Sequence, residues 1–272
     1  MRAGGPARFL CESADAEGVV EALRWAKTEG VAWTILGAGT NTLFADAGFA
    51  GLVIRTDGMR GRSIEGTRLT ASAGESFAEV ARFACEAGLS GLEWASGIPG
   101  AVGGAVAMNA GTREGDVATV LESVASASPD GAVKRTCRDL ALGYRESAYR
   151  AGDLAEAVVE ATFELTASTP ERTRALAGRL LAERAAKFPA GATAGCTFRN
   201  PSEGPSAGEL LDRAGCKGMR VGAARVSERH ANFIVNEGER NAADILRLID
   251  AMRDRVRAAF GIELVEELVI RT

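Results

Sequence analysis

Apolar residues recur at helical spacing in several segments of the chain. Val19, Leu23 and Ala26 lie three or four residues apart and precede Gly30, which predicts a helix that ends at this glycine. A Ser or Thr residue before a run of helical spacing predicts an N-cap. The remaining predicted helices start after Ser76, after Thr169 with Leu176, Leu180 and Leu181, after Ser206, and after Asn241 with Ile245, Ile249, Met252 and Val256.

Other segments have the spacing of β-strands. In AEAVVEATFEL, Ala157, Val159, Ala161, Phe163 and Leu165 alternate with polar residues, which predicts a strand with these five on one face. The pair Asp130-Gly131 predicts a hairpin turn. Further strands are predicted at VAWTIL (31–36), LVIRT (52–56), EGTRLTASAG (65–74), ANFIVN (231–236) and IELVEELVI (262–270). Mixed helices and strands indicate an α+β protein.

Composition and charge exclude several classes of function. The 272 residues carry a net charge of −4, so neither nucleic acid nor an anionic membrane surface is a favoured partner. The five cysteines are odd in number and form no CxxC pair, which argues against a disulfide framework or a zinc site. The single histidine argues against a histidine-rich metal centre. No secretory h-region opens the sequence and no run of 18 apolar residues occurs, so we expect a cytoplasmic protein.

Glycine is concentrated in two segments that lack ionisable side chains, GAGTN (37–41) and GIPGAVGGAVAMNAG (97–111). Glycine lets backbone N–H groups approach an anion, and successive N–H groups can hold phosphate oxygens. The first segment follows a predicted strand but lacks the third glycine and the helix of a dinucleotide fingerprint. Tight turns at sheet edges are the alternative for either segment alone. The two together favour a cofactor that contains pyrophosphate.

Five sequence blocks, in order, resemble the UDP-N-acetylenolpyruvoylglucosamine reductase family. They are LGAGTNTLFADAGFAGLVIRT, GLSGLEWASGIPGAVGGAVAMNAG, GYRESAY, AGCTFRNP and SERHANFIVN. The resemblance covers nearly the whole chain and is closest to the shorter, second type of this enzyme. It implies an FAD-binding module of the vanillyl-alcohol-oxidase type over residues 1–167, in two lobes of roughly 1–58 and 59–167. A linker helix and a C-terminal α/β substrate-binding domain would follow over 168–272.

The resemblance also implies the cofactor and its site. FAD would be bound and NADPH would reduce it, so that the enolpyruvyl group of UDP-N-acetylglucosamine enolpyruvate becomes UDP-N-acetylmuramate during peptidoglycan precursor synthesis. We expect a monomer with small-molecule substrates. The residues that align with the FAD site are Gly37, Ala38, Gly39, Thr40, Asn41, Thr42, Gly97, Ile98, Pro99, Gly100, Gly103, Gly104, Asn109 and Gly111.

Three residues match the catalytic positions of the family. Arg145 in GYRES corresponds to the charge-stabilising arginine, whose planar fork of donors suits a carboxylate. Cys196 stands where most members have a serine that donates a proton, and a thiol with a pKa near 8.5 is a better acid than an alcohol. Glu267 matches the C-terminal catalytic glutamate. By the same correspondence Tyr144, Arg199, Asn200, Lys217 and His230 would contact the substrate.

Two further departures distinguish this chain from the pattern. The chain begins at the Arg-x-Gly-Gly block, before which the family usually has another segment. Glu266-Glu267 replaces the usual Pro-Glu pair, which predicts a less rigid segment around the glutamate. The alternatives to the reductase are a flavin-binding paralogue without reductase activity and another FAD oxidoreductase of the same superfamily. Arg145, Glu267 and a protic residue at position 196 favour the reductase.

Overall fold

The computed structural model of the protein describes residues 1–238 and 241–272. Within them the α-helices are α1 (Ala16–Thr28), α2 (Phe77–Glu86), α3 (Val102–Ala107), α4 (Ala148–Ala151), α5 (Pro170–Lys187), α6 (Ala207–Arg213) and α7 (Ala242–Phe260). The strands are β1 (Ala7–Glu12), β2 (Trp33–Leu36), β3 (Thr42–Phe44), β4 (Phe49–Arg55), β5 (Arg62–Glu65), β6 (Arg68–Ser72), β7 (Leu89–Ser90), β8 (Leu121–Ser128), β9 (Gly131–Thr136), β10 (Ala157–Glu164), β11 (Thr166–Ala167), β12 (Arg220–Val221), β13 (Ala224–Val226), β14 (Ile234–Asn236) and β15 (Val269–Arg271).

The chain forms two compact units. The large unit comprises residues 9–38 and 51–184, and the small unit comprises residues 1–8, 39–50 and 185–272. The small unit therefore contains two early segments that the sequence division at residue 167 grouped with the first domain. It also contains only the end of α5, because the boundary falls between Arg184 and Ala185. The domain limits 1–167 and 168–272 stay a prediction.

The large unit is built around a five-stranded antiparallel sheet in the order β5-β6-β10-β8-β9. One apolar core on this sheet includes residues of α2 and α3, such as Phe77 and Val102. The other includes α1 and strand β4, such as Leu23 and Ile54. Strands β1, β4 and β2 form a second sheet in that order. The sheet is thus covered by apolar side chains from both sides, which gives the unit two lobes.

The face assignment predicted for β10 is wrong in part. Ala161 and Phe163 belong to the core that contains α2, as the alternation predicts, but Ala157 and Val159 belong to the core that contains α1. The pairing register of β10 with β8 shifts between Val158 and Glu160. Such a β-bulge adds one residue to a strand and moves the residues beyond it to the opposite face. The bulge allows one strand to supply both cores.

The small unit packs α6 and α7 against a three-stranded antiparallel sheet, β12-β13-β14. Ile245, Ile249, Met252 and Val256 are all buried, as the spacing along α7 predicts. Strand β15 pairs in parallel with β3, and Val269 lies opposite Thr42. The predicted strand over 262–270 is shorter than expected, because residues 262–268 lie in no named strand and contribute one isolated bridge, from Glu266 to Phe198. Leu264 and Leu268 are nevertheless buried.

The N-caps of α2 and α6 are those that the sequence predicts, whereas the N-cap predicted for α7 is wrong. The side chains of Ser76 and Ser206 accept hydrogen bonds from the third residue of α2 and α6. Asn241 occupies the N-cap position of α7, but its side chain makes no capping hydrogen bond and donates to Asp244 instead. The cap comes from Asp46, whose carboxylate accepts from the N–H groups of Ala242 and Ala243, each at 2.8 Å. A helix N-terminus favours this negative charge.

Candidate active site

The two glycine-rich segments meet within the large unit. A Cβ added to Gly37 would lie 3.1 Å from the Cβ of Ala101, at the start of the second segment. The part of the second segment that was expected to be a loop contains the short helix α3. Gly39 and Gly100 have φ values of 65° and 141°, which favour glycine. The structure therefore brings Gly37, which follows β2, beside Ala101, which precedes α3.

Packing explains several of these glycines. A Cβ at Gly97 would contact Arg184 and Leu181 of α5 at 2.8 and 3.0 Å, and one at Gly111 would lie 2.5 Å from Asp116. A Cβ at Gly103 would lie 3.0 Å from the Ala73 Cβ, and the Gly103 N–H donates to Ala73 O at 2.9 Å, so this amide is engaged within the protein. The expectation that the whole segment offers bare donors therefore does not hold at Gly103.

Two observations in the second segment fit a bound cofactor. A Cβ at Gly104 would meet no protein atom within 4 Å, so packing does not account for this glycine. Next to Gly97, the hydroxyl of Ser96 is buried and has no hydrogen-bond partner among the described residues. A buried polar group without a partner is costly unless a ligand satisfies it. The sequence analysis did not single out Ser96, and its position beside a motif glycine was the available signal.

Asn109 joins the glycine-rich segment to the turn that carries Arg145. The Asn109 side chain is 2% exposed, and its Nδ2 donates to Gly143 O at 2.8 Å and to Asp116 Oδ2 at 3.3 Å. Its Oδ1 accepts from Ala118 N–H at 2.9 Å. The carboxamide thus has protein partners at both ends. In this structure it organises the loop, and its contact with the cofactor stays a prediction.

Arg145 lies in a tight turn in which Gly143 and Glu146 exchange backbone hydrogen bonds of 3.1 Å. Its φ is 57°, a left-handed conformation that is uncommon outside glycine and that occurs often at functional sites. Nη2 of Arg145 donates to Gly111 O at 2.8 Å and Nη1 to Asn109 O at 3.3 Å. The guanidinium carbon lies 5.5 Å from the ring centroid of Tyr144, which is 54% exposed. Carbonyl oxygens and the turn together fix the arginine.

The small unit brings Cys196 and Glu267 close along the backbone. Thr197, which follows Cys196, accepts a hydrogen bond at its carbonyl from Glu267 N–H at 2.9 Å. On the other side Cys196 bridges to Phe233, and Thr197 N–H donates to Asn232 O at 2.8 Å. The segment 196–199 is therefore joined by isolated bridges and backbone hydrogen bonds to segment 230–234 on one side and to segment 264–268 on the other. This arrangement fixes two of the three predicted catalytic residues relative to each other.

Two asparagines hold these segments in place. The buried carboxamide of Asn232 accepts from Phe198 N–H at 2.9 Å and donates to Phe198 O at 2.8 Å. Asn41, from the first glycine-rich segment, donates to Glu267 O at 3.2 Å, and Val269 N–H donates to Asn41 O at 3.0 Å. A predicted cofactor residue and a predicted catalytic residue thus meet in the small unit. Asn232 was not among the predicted site residues.

The ring of His230 packs against aromatic side chains. Its ring lies 5.3 Å from the Phe188 ring and 5.0 Å from the Phe233 ring, and a Cβ on Gly208 would contact it at 2.9 Å. Nδ1 accepts from Asn232 N–H at 3.2 Å. Burial lowers the pKa of His230 below its ordinary value, and the ammonium of Lys217 lowers the pKa further. The neutral imidazole keeps Nε2 as its donor.

The other predicted substrate residues have protein contacts of their own. Lys217 Nζ lies 2.7 Å from Asp212 Oδ2. Asn200 is exposed, and its Oδ1 accepts from the N–H of Ala207, the first residue of α6, at 3.0 Å. Arg199 is half-buried, and its backbone N–H donates to Val265 O at 2.8 Å. Thr193, two residues from Gly195, adds a buried hydroxyl without a partner in the described part of the chain.

The fold and these segments define the class of protein. Residues 7–136 match the family model described as "FAD binding domain", and residues 186–271 match the model of the UDP-N-acetylenolpyruvoylglucosamine reductase C-terminal domain. The predicted fold class and FAD as cofactor are thereby confirmed. The chain is a flavoprotein of two-part α+β architecture.

Comparison with similar proteins identifies the family of this chain. UDP-N-acetylenolpyruvoylglucosamine reductase of Synechococcus sp. (strain JA-3-3Ab) is 41% identical over 99% of this chain and 87% of its own length. The same-named protein of Chloroflexus aurantiacus is 40% identical over 99% of this chain and 93% of its own. The crystal structure of the Thermus caldophilus reductase (MurB) superposes with a TM-score of 0.83 at 33% identity, covering 99% of this chain and 94% of that one. The chain belongs to the UDP-N-acetylenolpyruvoylglucosamine reductase family.

Proposed function

We propose that the protein reduces the enolpyruvyl group of UDP-N-acetylglucosamine enolpyruvate to give UDP-N-acetylmuramate, with NADPH as reductant of its FAD. Family membership over nearly the full chain supports the reaction. The observation that supports the same reaction in this chain is that an arginine, a protic side chain and a glutamate stand at the three catalytic positions. Each of them lies in a segment that backbone hydrogen bonds hold in place. The reaction belongs to peptidoglycan precursor synthesis, and we place it in the cytoplasm.

The residues of the large unit would serve the cofactor and the carboxylate of the substrate. We expect Gly37, Ser96, Gly100 and Gly104 to contact the phosphates of FAD, which would supply the hydride when it is bound and reduced. Hydride addition to the methylene carbon leaves negative charge on the neighbouring carbon and its carboxylate. The Arg145 guanidinium, a fixed cation with a planar fork of donors, would stabilise that charge.

Cys196 and Glu267 would complete the reaction with a proton. Cys196 is half-buried, and its thiol would donate the proton to the carbon that carries the negative charge, so that the C=CH2 group becomes CH–CH3. The backbone N–H of Glu267 donates a hydrogen bond to Thr197 O. The Glu267 carboxylate would orient the proton donor or relay the proton. Lys217, Arg199 and His230 supply donors for the phosphates of a UDP-sugar, and we expect Tyr144 and Asn200 to contact the same ligand.

We propose a monomer that acts on these small molecules and binds neither nucleic acid nor a membrane. The net charge of −4 supports the lack of attraction to polyanions. Among the described residues no helix is both long and apolar enough to cross a bilayer.

The test separates the two half-reactions. The purified protein should carry a flavin absorbance spectrum, lose it when NADPH is added without oxygen, and regain it when the enolpyruvyl UDP-sugar follows. Bleaching without recovery would indicate an oxidoreductase with a different substrate. A protein that takes up no FAD would indicate a paralogue without reductase activity.

The thiol is tested in the same assay. Cys196→Ser should keep measurable turnover, whereas Cys196→Ala should permit flavin reduction by NADPH and stall product formation. Cys11→Ala is the matched control, because Cys11 is also a half-buried free thiol but lies in β1, in the sheet β1-β4-β2. Full turnover of Cys196→Ala would remove this residue from the mechanism.

A further inference from the structure

Arg253 on α7 is the centre of a cluster of acidic residues in the small unit. Its guanidinium lies 2.8 Å from Asp250 and 3.7 Å from Glu263, and it pairs closely with Glu266. The Arg253 side chain is 20% exposed, whereas that of Arg257, one helical turn further on, is 59% exposed. Ion pairs that are shielded from water are screened less than exposed pairs and hold their partners more firmly.

The contacts of Arg253 reach both segments that carry the proposed catalytic residues of the small unit. Glu266 immediately precedes Glu267. The Arg253 guanidinium carbon also lies 6.0 Å from the ring centroid of Phe198, two residues after Cys196. Phe198 and Glu266 are themselves bridged through their backbones. One side chain therefore contacts a near neighbour of each catalytic position.

The segment before Glu267 depends on such contacts. Residues 261–268 lie in neither a helix nor a named strand, so no regular ladder of hydrogen bonds fixes them. Their backbone is attached to segment 196–199 by the hydrogen bonds from Arg199 to Val265 and from Glu267 and Leu268 to Thr197. Leu264 and Leu268 share an apolar core with α7, and Glu263 pairs with Arg253 and Arg257. The Arg253–Glu266 pair adds an ion pair to α7 at the residue directly before Glu267.

We propose that Arg253 is a positioning residue that fixes the spacing between Cys196 and Glu267 through its contacts with Glu266 and Phe198. The role in turnover rests on the proposed function. Displacements of about 1 Å at a reacting group can cost on the order of a hundredfold in rate. Arg253 acts through Glu266 and Phe198 and needs no contact with substrate.

The kinetic test compares Arg253→Met with Arg257→Met. Arg257 is the matched control, because it lies on the same helix and its ion pairs are with Asp254 and Glu263. We expect Arg253→Met to slow flavin reoxidation by the enolpyruvyl UDP-sugar about tenfold to a hundredfold. Flavin reduction by NADPH should stay within about twofold of the wild-type rate. Arg253→Lys should recover part of the loss, because it restores the charge without the planar fork.

A second readout is independent of turnover. Alkylation of Cys196 by iodoacetamide, followed by peptide mass spectrometry, should become at least about threefold faster in Arg253→Met and in Glu266→Gln, because a loosened segment exposes the thiol. Arg257→Met should alkylate at the wild-type rate. Glu266→Gln keeps a side chain of the same size, so it tests the pair if Arg253→Met does not fold.

Unchanged reoxidation and unchanged alkylation in both variants would overturn the proposal. Equal losses in both half-reactions would also overturn it, since they would mean a general effect on folding. If the wild-type enzyme is not reoxidised by the enolpyruvyl UDP-sugar, the proposed function fails, while the alkylation rates still decide whether Arg253 fixes the segment.

Discussion

Asp46 is the residue whose removal best tests how α7 is anchored. It lies in the turn between β3 and β4, 196 positions before the helix that it caps. Its two carboxylate oxygens accept hydrogen bonds from Ala242 and Ala243, each at 2.8 Å. In Asp46→Ala these two amides lose their partner and the N-terminus of a 19-residue helix loses a neighbouring negative charge.

The size of the effect follows from these contacts. Loss of an N-cap costs about 1 kcal/mol and up to about 2 kcal/mol. The charge contributes a further 0.3 to 1 kcal/mol or so at an exposed helix terminus. Asp46 is exposed, so we expect a loss of about 2 kcal/mol in the free energy of unfolding of the small unit. For a protein of this size that is roughly 4–8 °C in Tm. Asp46→Asn keeps an acceptor and should lose about half as much.

The measurement is thermal and urea denaturation followed by circular dichroism at 222 nm, with hydrogen exchange of the first α7 amides to locate the change. Asp254→Ala is the matched control, because this exposed carboxylate on α7 pairs with Arg257 and caps nothing. Its effect should stay within about 0.5 kcal/mol. Asn241→Ala should cost less than Asp46→Ala. The reverse order would show that the local asparagine caps the helix and that our reasoning is wrong.

Three further predictions concern the candidate site. The single histidine, His230, should titrate by NMR with a pKa below the ordinary value of about 6.5, and Lys217→Met should raise that pKa. Because the folded-state pKa is the lower one, stability from the neutral imidazole is complete above about pH 6.5 and is lost as the pH falls through the folded-state pKa. His230→Phe should flatten this part of the curve, and a histidine pKa above 6.5 would contradict the assignment. Ser96→Ala should leave the stability of the FAD-free protein unchanged or slightly higher, since it removes a buried hydroxyl without a partner among the described residues. The same variant should bind FAD more weakly in a fluorescence titration, and unchanged affinity would contradict a contact with the cofactor. Asn109→Ala removes three hydrogen bonds of a buried carboxamide and should cost roughly 3 kcal/mol in urea denaturation. A loss below about 1 kcal/mol would contradict its organising role.

Much of the secondary structure was predictable because its signals are local. The 3.6-residue spacing along α1 and α7, the serine caps of α2 and α6, and the Asp130-Gly131 turn each depend on neighbouring residues only. The bulge in β10 was not predictable, because an extra residue in a strand is defined by the strand opposite. The same holds for segment 262–268, whose alternation is that of a strand although its backbone pairs only briefly with segment 196–199.

The candidate site shows the same division. The blocks around Arg145, Cys196 and Glu267 were identified from residue types in sequence order, and the resemblance supplied their roles. The partners that hold them are far away along the chain: Asn109 and Gly111 for Arg145, and Asn232 and Arg253 for the segments of the small unit. Contacts of this kind carry no signal in a single sequence.

The sequence by itself determined the five longer helices (α1, α2, α5, α6 and α7), most strands, the family and the chemical identity of the site residues, because each is encoded in short-range spacing or in ordered motifs. Only the tertiary structure decided which glycines are needed for packing and which leave open space, that Asp46 and not Asn241 caps α7, and that Arg253 ties Glu266 to the helix. These depend on residues that meet only after the chain has folded, since burial, hydrogen bonding and ion pairing are set by distance in space.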